Sequence, residues 1–410
     1  MPAPPLEVSF NELKHLVSSR ALEGDTLLLN MGPQHPSTHG VLRLLLELEG
    51  ETVINCIPDI GFLHTGIEKN MEAKNYLQAL VMTDRMDYLN NIGNNLVYCL
   101  AIEKLVGLDV PPRAQAVRVI LTELQRIASH LVWLATSSLD LAAMSTFLYC
   151  FREREIILDI FEMCSGQRMM TSYIRPGGIW RDLPSGFEEA VRQFLRLFPR
   201  RIRQYEALLT KNPLFLDRTR QIGILTAKQA LRLGVTGPML RATGVSFDLR
   251  KVQPYSGYEQ YDFEVPTATG GDTYDRYLVR MEEINQSLRI IEQALAKLPK
   301  GDVIVRDRKV ALPPKSEVYS NIESLMNHFK LVYDGILPPP GEVYGYTEGA
   351  NGELGFYIVS DGRKHPWRVK VRPPCFAIYA AFPEMLKGAM IADAVAIIGG
   401  LNIIAGELDR

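Results

Sequence analysis

Two long apolar stripes constrain this chain more than anything else in it. Pro111 and Pro112 open a helical stretch whose apolar residues fall at Val117, Ile120, Leu124, Ile127, Leu131 and Leu134. Those alternating three- and four-residue steps lay one continuous stripe along one helix face, and proline in a first turn sacrifices no helical hydrogen bond. A second stripe, Met281, Ile284, Leu288, Ile291, Leu295 and Leu298, runs through a helix expected over about 275–298. A helix of about 30 residues spans about 40 Å. Stripes so long and so poor in charge must bury against each other, which predicts an elongated bundle.

Helical periodicity also covers about Ala143 to Cys164 and Phe187–Leu209, and Asp84 reads as the N-cap of a helix with Asp87 and Tyr88 in its first turns. The chain ends look different. Thr26–Met31 and Val41–Leu48 read as strands, as do Glu342–Glu348 and Gly352–Ser360 on either side of the hairpin signal Asn351-Gly352, and Trp367–Val371 alternates. Residues 234–274, rich in Gly, Pro and Tyr, read as a long ordered loop. The expected class is α+β, mainly α: a long-helix bundle with antiparallel β at both chain ends. The expected organisation is an N-terminal arm (1–25), a β-hairpin region (26–65), a helical core (66–300) and a C-terminal α+β region with a hairpin (301–410).

Composition excludes several function classes. Of 410 residues, 47% are hydrophobic, enough for a large core. A net charge of −2 with no long basic run argues against nucleic acid as a partner. The longest apolar stretch, near 395–405, is broken by Gly399, Gly400 and Asn402 and falls short of the roughly 20 residues that span a bilayer. Pro2, Pro4, Pro5 and Glu7 stand where a signal peptide would be basic and then apolar, so a soluble chain in the cytoplasm is expected. The five cysteines, Cys56, Cys99, Cys150, Cys164 and Cys375, have neither zinc nor iron–sulfur spacing and read as small buried hydrophobes.

The chemistry-bearing candidates are few. Gly32-Pro33-Gln34-His35-Pro36-Ser37-Thr38-His39-Gly40 is a stiff loop between two strands. Pro36 forbids the helix that would set His35 and His39 on one face, so a metal pair loses its geometry. Either the loop holds an imidazole at a site, or its histidines only hydrogen-bond the loop to itself. Tyr88 reads as a half-buried packing residue, and Asp140, among apolar neighbours, as a cap or turn unless it is buried and paired. Glu153-Arg154-Glu155 reads as a solvated face or a salt-bridged interface. No phosphate-binding glycine loop, dinucleotide fingerprint or nucleophile elbow occurs.

Several segments taken together resemble one family. They are Asn30–Arg43, Gly61–Lys69, Arg85-Met86-Asp87-Tyr88-Leu89, Phe151–Glu155, Tyr173–Gly178, Gly352–Tyr357 and the terminus Gly406-Glu407-Leu408-Asp409-Arg410. In order and spacing they resemble the D-subunit family of NADH-quinone oxidoreductase, respiratory complex I, from about residue 27 to the last residue. The resemblance extends to the large subunit of nickel–iron hydrogenases, which hold their metal with two C-x-x-C pairs. Here Arg85–Leu89 contains no cysteine and the chain reaches Asp409-Arg410 without one, so the resemblance implies a hydrogenase-like scaffold without the metal and its soft ligands.

What the resemblance implies is a quinone headgroup in the vacated space, bound by His39 and Tyr88, with Asp140 hydrogen-bonded to the histidine. These three are the expected catalytic residues. The resemblance also implies that quinone is substrate and that this chain binds no metal or cluster. Electrons would come from an iron–sulfur cluster of an adjacent subunit resembling the hydrogenase small subunit, and quinone through a membrane channel subunit. The chain would be inert alone and peripheral on the cytoplasmic side of a bacterial membrane, within a proton-translocating complex. The alternative is a non-catalytic scaffold subunit of the same complex. Many family members carry histidine at the position of Met170 and arginine at Thr65. The residues here would lower the cluster potential, which suits menaquinone better than ubiquinone.

Overall fold

The computed structural model describes residues 26–38 and 40–410; the arm expected over 1–25 lies outside them. Three strands, β1 (Leu27–Met31), β2 (Arg43–Glu49) and β3 (Thr52–Asp59), pair antiparallel in chain order. Between β1 and β2 runs the stiff loop, with a 3₁₀ turn at Pro36–Thr38. Gly32 has φ +98°, and a Cβ there would stand 2.1 Å from the Leu42 carbonyl oxygen, so no other residue permits this turn.

A helical block follows: α1 (Ile67–Glu72), α2 (Tyr76–Thr83), α3 (Asn91–Val106), α4 (Pro112–Asp140), α5 (Met144–Ser165) and α6 (Phe187–Leu209). After a segment of short helices come α7 (Thr273–Ala296) and α8 (Ile322–Tyr333). A second antiparallel sheet joins β4 (Gly341–Glu348), β5 (Glu353–Ser360) and β6 (Arg368–Arg372), and four helices close the chain: α9 (Pro374–Ala380), α10 (Phe382–Leu386), α11 (Ile391–Leu401) and α12 (Ala405–Asp409). The protein is mainly helical with small antiparallel sheets. The second sheet lies before these terminal helices, not at the chain end. None of the described helices is long and apolar enough to cross a membrane.

Both stripes are buried. Val117 through Leu134 of α4 face α5 and α7, and Met281 through Leu295 of α7 face back; Leu298 lies just past the helix end and is only half-buried. The surprise is that α4 is buried on its other faces too. Its buried charged residues and His130 are held by ionic partners. Glu283 of α7 accepts from Arg241 Nη2 at 2.7 Å and contacts His130 Nε2 at 2.9 Å. Arg241 also meets Glu348 at 2.8 Å, and Arg250 bridges Asp248 at 2.6 Å and Glu123 at 3.1 Å. Burial alone would raise the Glu123 carboxyl, but Arg126 and Arg250 outweigh it and hold it down at about 2. A buried charge survives only with such partners.

Several local expectations are corrected. Asp84 is not an N-cap: it follows the end of α2, and residues 84–90 form a buried turn, because the side chains of α3 and α4 satisfy the turn's carbonyls better than a helix would. The segment 234–274 holds short helices at Pro238–Arg241 and Leu249–Val252. Asn351-Gly352 belongs to a four-residue connection between β4 and β5, and Asn351 is buried, not a surface turn. Glu153 is no solvated face: it is buried, ion-paired with Arg152 and Arg201 and accepting from the Tyr205 hydroxyl. All five cysteines are buried and free.

Two apolar cores result. The larger joins α3–α7 to the second sheet; the smaller joins the first sheet to α9–α12. Met86 belongs to the first and Leu89 to the second, so the turn 84–90 stitches them together.

Candidate functional site

At that seam lies an open cavity of about 630 Å³. Leu63, Ile67, Val81 and Met82 line it with Arg85, Tyr88, Thr65, Met170 and Gly406. Its walls are made by the turn 84–90, the loop after β3 and the C-terminal helix.

The turn is fixed from below. Asn94 Nδ2 donates to the carbonyls of Thr83 and Asp87, each at 2.9 Å. Asn95 Nδ2 reaches Asp84 at 2.8 Å and Thr83 Oγ1 at 2.9 Å, and Gln125 Nε2 donates to the Leu89 carbonyl. These amides are buried in helices α3 and α4, so the backbone of Tyr88 is held by rigid elements. Tyr88 itself is half-buried. Burial, then the neighbouring charges of Asp87 and Cys375, pushes its phenol up to about 12. It is a neutral O–H donor throughout the physiological range.

The loop after β3 is fixed by the chain terminus. Asp409 Oδ1 and Oδ2 accept from the amides of Gly61 at 2.9 Å and Leu63 at 2.7 Å, and the Asp409 carbonyl oxygen meets His64 Nδ1 at 2.7 Å. Arg410 Nε pairs with Glu68 Oε1 at 3.0 Å. Gly406 lies so close to the turn that a Cβ there would stand 2.6 Å from the Met86 carbonyl oxygen and 3.4 Å from Tyr88 Cδ1.

His39 lies outside the described residues. Its flanks are placed: the 3₁₀ turn Pro36–Thr38 packs on α11, and a Cβ on Gly40 would stand 3.2 Å from Ala405 Cβ. His35 is exposed, and its Nδ1 accepts from the Ser37 amide at 3.3 Å, a bond of the loop to itself. Asp140 is the last residue of α4 and half-buried; its Oδ2 lies 3.4 Å from where a Cβ on Gly399 of α11 would be. Tyr88, Asp140 and the loop flanks therefore all abut the segment 399–406.

Sequence reasoning passed over Asp87, Cys375, Glu407 and Asp409, all buried in this region. The terminus Gly406–Arg410 holds the signal: three charged residues in five, closing an otherwise apolar stretch.

Comparison with known proteins identifies a family. Residues 140–410 match the model of the respiratory-chain NADH dehydrogenase 49 kDa subunit. The chain belongs to that family. Its relatives include NADH-quinone oxidoreductase D-subunit 2 of Roseiflexus sp. (strain RS-1), 58% identical over 391 residues, 95% of this chain and 94% of that protein. D-subunit 2 of the same enzyme from Chloroflexus aurantiacus is 58% identical over 389 residues, 94% of this chain and 95% of its own length. The D-subunit from Geotalea uraniireducens is 53% identical over 386 residues, 94% and 99% respectively. Each of these relatives is named as a D subunit of NADH-quinone oxidoreductase.

Proposed function

We propose that this subunit binds quinone, and that the cavity over Tyr88 receives the headgroup. The observation that carries the reading is the cavity's composition: about 630 Å³, walled by Leu63, Ile67, Val81 and Met82, with the Tyr88 phenol set into it on a rigid turn. That size lies within the roughly 300–1,000 Å³ of ligand sites, and a largely apolar wall with a few polar groups, Tyr88 beside Thr65, Asn70 and Arg85, suits a hydrophobic dicarbonyl.

Quinone reduction consumes two electrons and two protons at two oxygens. A neutral phenol at Tyr88 donates a hydrogen bond to one carbonyl and a proton as negative charge develops there. His39 serves the other oxygen, since imidazole titrates near neutrality. The hydrogen bond to Asp140 that the resemblance implies would fix the tautomer of that imidazole and favour its charged form. A single neutral hydrogen bond contributes only about 0.5–1.5 kcal/mol net, so affinity comes mainly from the tail, at roughly 25 cal/mol per Å² buried.

Electrons reach this site from an iron–sulfur cluster of the neighbouring small-subunit-like chain, and quinone arrives through a membrane channel subunit. The exposed Phe62 and Val81 beside the cavity support a covering neighbour there. Thr65 and Met170 both line the cavity. The lack of an arginine and a histidine at these places lowers the potential of a neighbouring cluster, which is compatible with a low-potential quinone such as menaquinone; a redox titration giving a high, strongly pH-dependent potential contradicts this. The subunit's place is the cytoplasmic face of the bacterial membrane.

The test is photoaffinity labelling of the assembled complex with an azidoquinone. Crosslinks are expected within residues 60–90 or 399–410. Labelling that spares this chain leaves the scaffold reading in its place.

A further inference from the structure

Behind Tyr88 the chain buries two carboxylates that no cation meets. Asp87 and Glu407 are each 1% exposed. The other acids no more than 1% exposed, Glu123, Glu153, Asp248, Glu283 and Glu348, each have an arginine within ion-pair distance. Among the described residues Asp87 and Glu407 have none. Asp87 Oδ1 accepts from the Leu89 amide at 3.0 Å, and Glu407 Oε1 from the Cys375 amide at 2.8 Å.

The segments that carry them touch through their chain neighbours. The missing Cβ of Gly406 would lie 2.6 Å from the Met86 carbonyl oxygen and 2.8 Å from that of Arg85. The Cys375 thiol completes the cluster; the Ile404 amide at 3.5 Å and Asn351 Nδ2 at 3.6 Å point at its sulfur. Arg372 pulls Glu407 down only through space, and its hydrogen bonds, like those of Arg280, go elsewhere. Arg372 donates to the Gly234 and Glu353 carbonyls, and Arg280 to those of Gly400 and Leu401.

Two buried like charges with no cation at ion-pair distance do not ionise together. We propose that Asp87 and Glu407 share one proton at neutral pH, and that this proton restores the Tyr88 phenol after the phenol has protonated quinone. The step rests on the quinone reading above. The Tyr88 O–H bond breaks as an O–H bond forms on the quinone oxygen, while two electrons arrive from the neighbouring subunit's reduced cluster. The carboxyl proton of the pair then moves to the phenolate oxygen as the pair takes up a replacement proton from solvent, so the two carboxyls are not charged together.

The direction of that transfer is downhill. Burial raises both carboxyls, and the charge of Asp87 raises Glu407 further, yet the phenol at about 12 remains the stronger base of the three. The Asp87 carboxylate and the Cys375 thiol both oppose a lasting negative charge on Tyr88.

Infrared spectroscopy of the intact complex tests the shared proton without reference to quinone. The difference between the native complex and the double variant D87N/E407Q should show one protonated-carboxyl C=O band at pH 7. A difference free of that band overturns the proposal. The pH profile of quinone reduction tests its use. In Glu407→Gln the amide oxygen still accepts from Cys375 N–H, but the pair's like charge is gone, so the alkaline limb should move at least about 1 unit toward acid. Asp87→Asn should move it likewise if the first variant fails to assemble. An unmoved limb in an assembled variant overturns the relay, while azidoquinone labelling of this chain would still stand.

Discussion

Gly406→Ala is the most demanding perturbation of the site, because it adds one methyl group and no charge. The new Cβ would stand 2.6 Å from the Met86 carbonyl oxygen and 2.8 Å from that of Arg85, against 3.4 Å for an ordinary contact. The obstructing atoms are backbone, so no rotamer change relieves the clash. The turn is pinned by Asn94 and Gln125, and α12 is pinned by Asp409 to the loop after β3. One of the two must yield by about 0.8 Å. Overpacking of this kind costs about 1–3 kcal/mol, well within what a large core tolerates, so the variant should assemble. A displacement approaching about 1 Å at a reacting group costs about 100-fold in rate. The expected result is a normal amount of complex, a small fall in its thermal midpoint and a loss of quinone reduction between about 10- and 100-fold, seen mainly in kcat. Electron input to an artificial acceptor upstream of quinone should be unaffected. Native turnover in a fully assembled Gly406→Ala complex would show that the placement of Tyr88 against the terminal helix does not govern the reaction.

Three further outcomes follow from the same geometry. Tyr88→Phe removes one donor from an apolar site, so quinone KM should change by less than about 10-fold, the worth of one neutral hydrogen bond, while kcat falls far more; equal losses in both, measured by steady-state kinetics, would deny the phenol its proton. Asp140→Asn should leave assembly intact and lower quinone reductase activity, and full activity would remove Asp140 from the site. Glu123 is held at about 2 in the folded chain against an ordinary 4.5. Its stabilisation is therefore complete above the ordinary value and disappears as pH falls from about 4.5 toward about 2. Arg250→Met should cost about 3–5 kcal/mol by leaving buried carboxylates unpaired and flatten that acid limb in thermal melts taken against pH.

The long helices were legible because a stripe at three- and four-residue steps has one cheap burial. The start at Pro112 and the helix Phe187–Leu209 follow from proline and periodicity, whereas the run of the first helix on to Asp140 was not expected. The turn at 84–90 was not legible. Local propensity favours helix there, and what prevents it is long-range: amides of Asn94, Asn95 and Gln125 that capture the turn. The buried ion network was hidden for a related reason. Arg241, Glu283 and Glu348 stand on three separated segments, and each by itself reads as a surface charge. Of the site, Tyr88 and Asp140 were reached through family resemblance, not through their own patterns. Asp87 and Glu407 stayed out of sight because their significance lies in a missing partner, which sequence does not display.

The most direct measurement is a structure of the assembled complex with a short-chain quinone bound. The account predicts a headgroup oxygen within hydrogen-bonding distance of the Tyr88 hydroxyl, inside the cavity bounded by Leu63, Val81 and Gly406. A headgroup seated elsewhere, with that cavity filled by a neighbouring subunit's side chains, would contradict it.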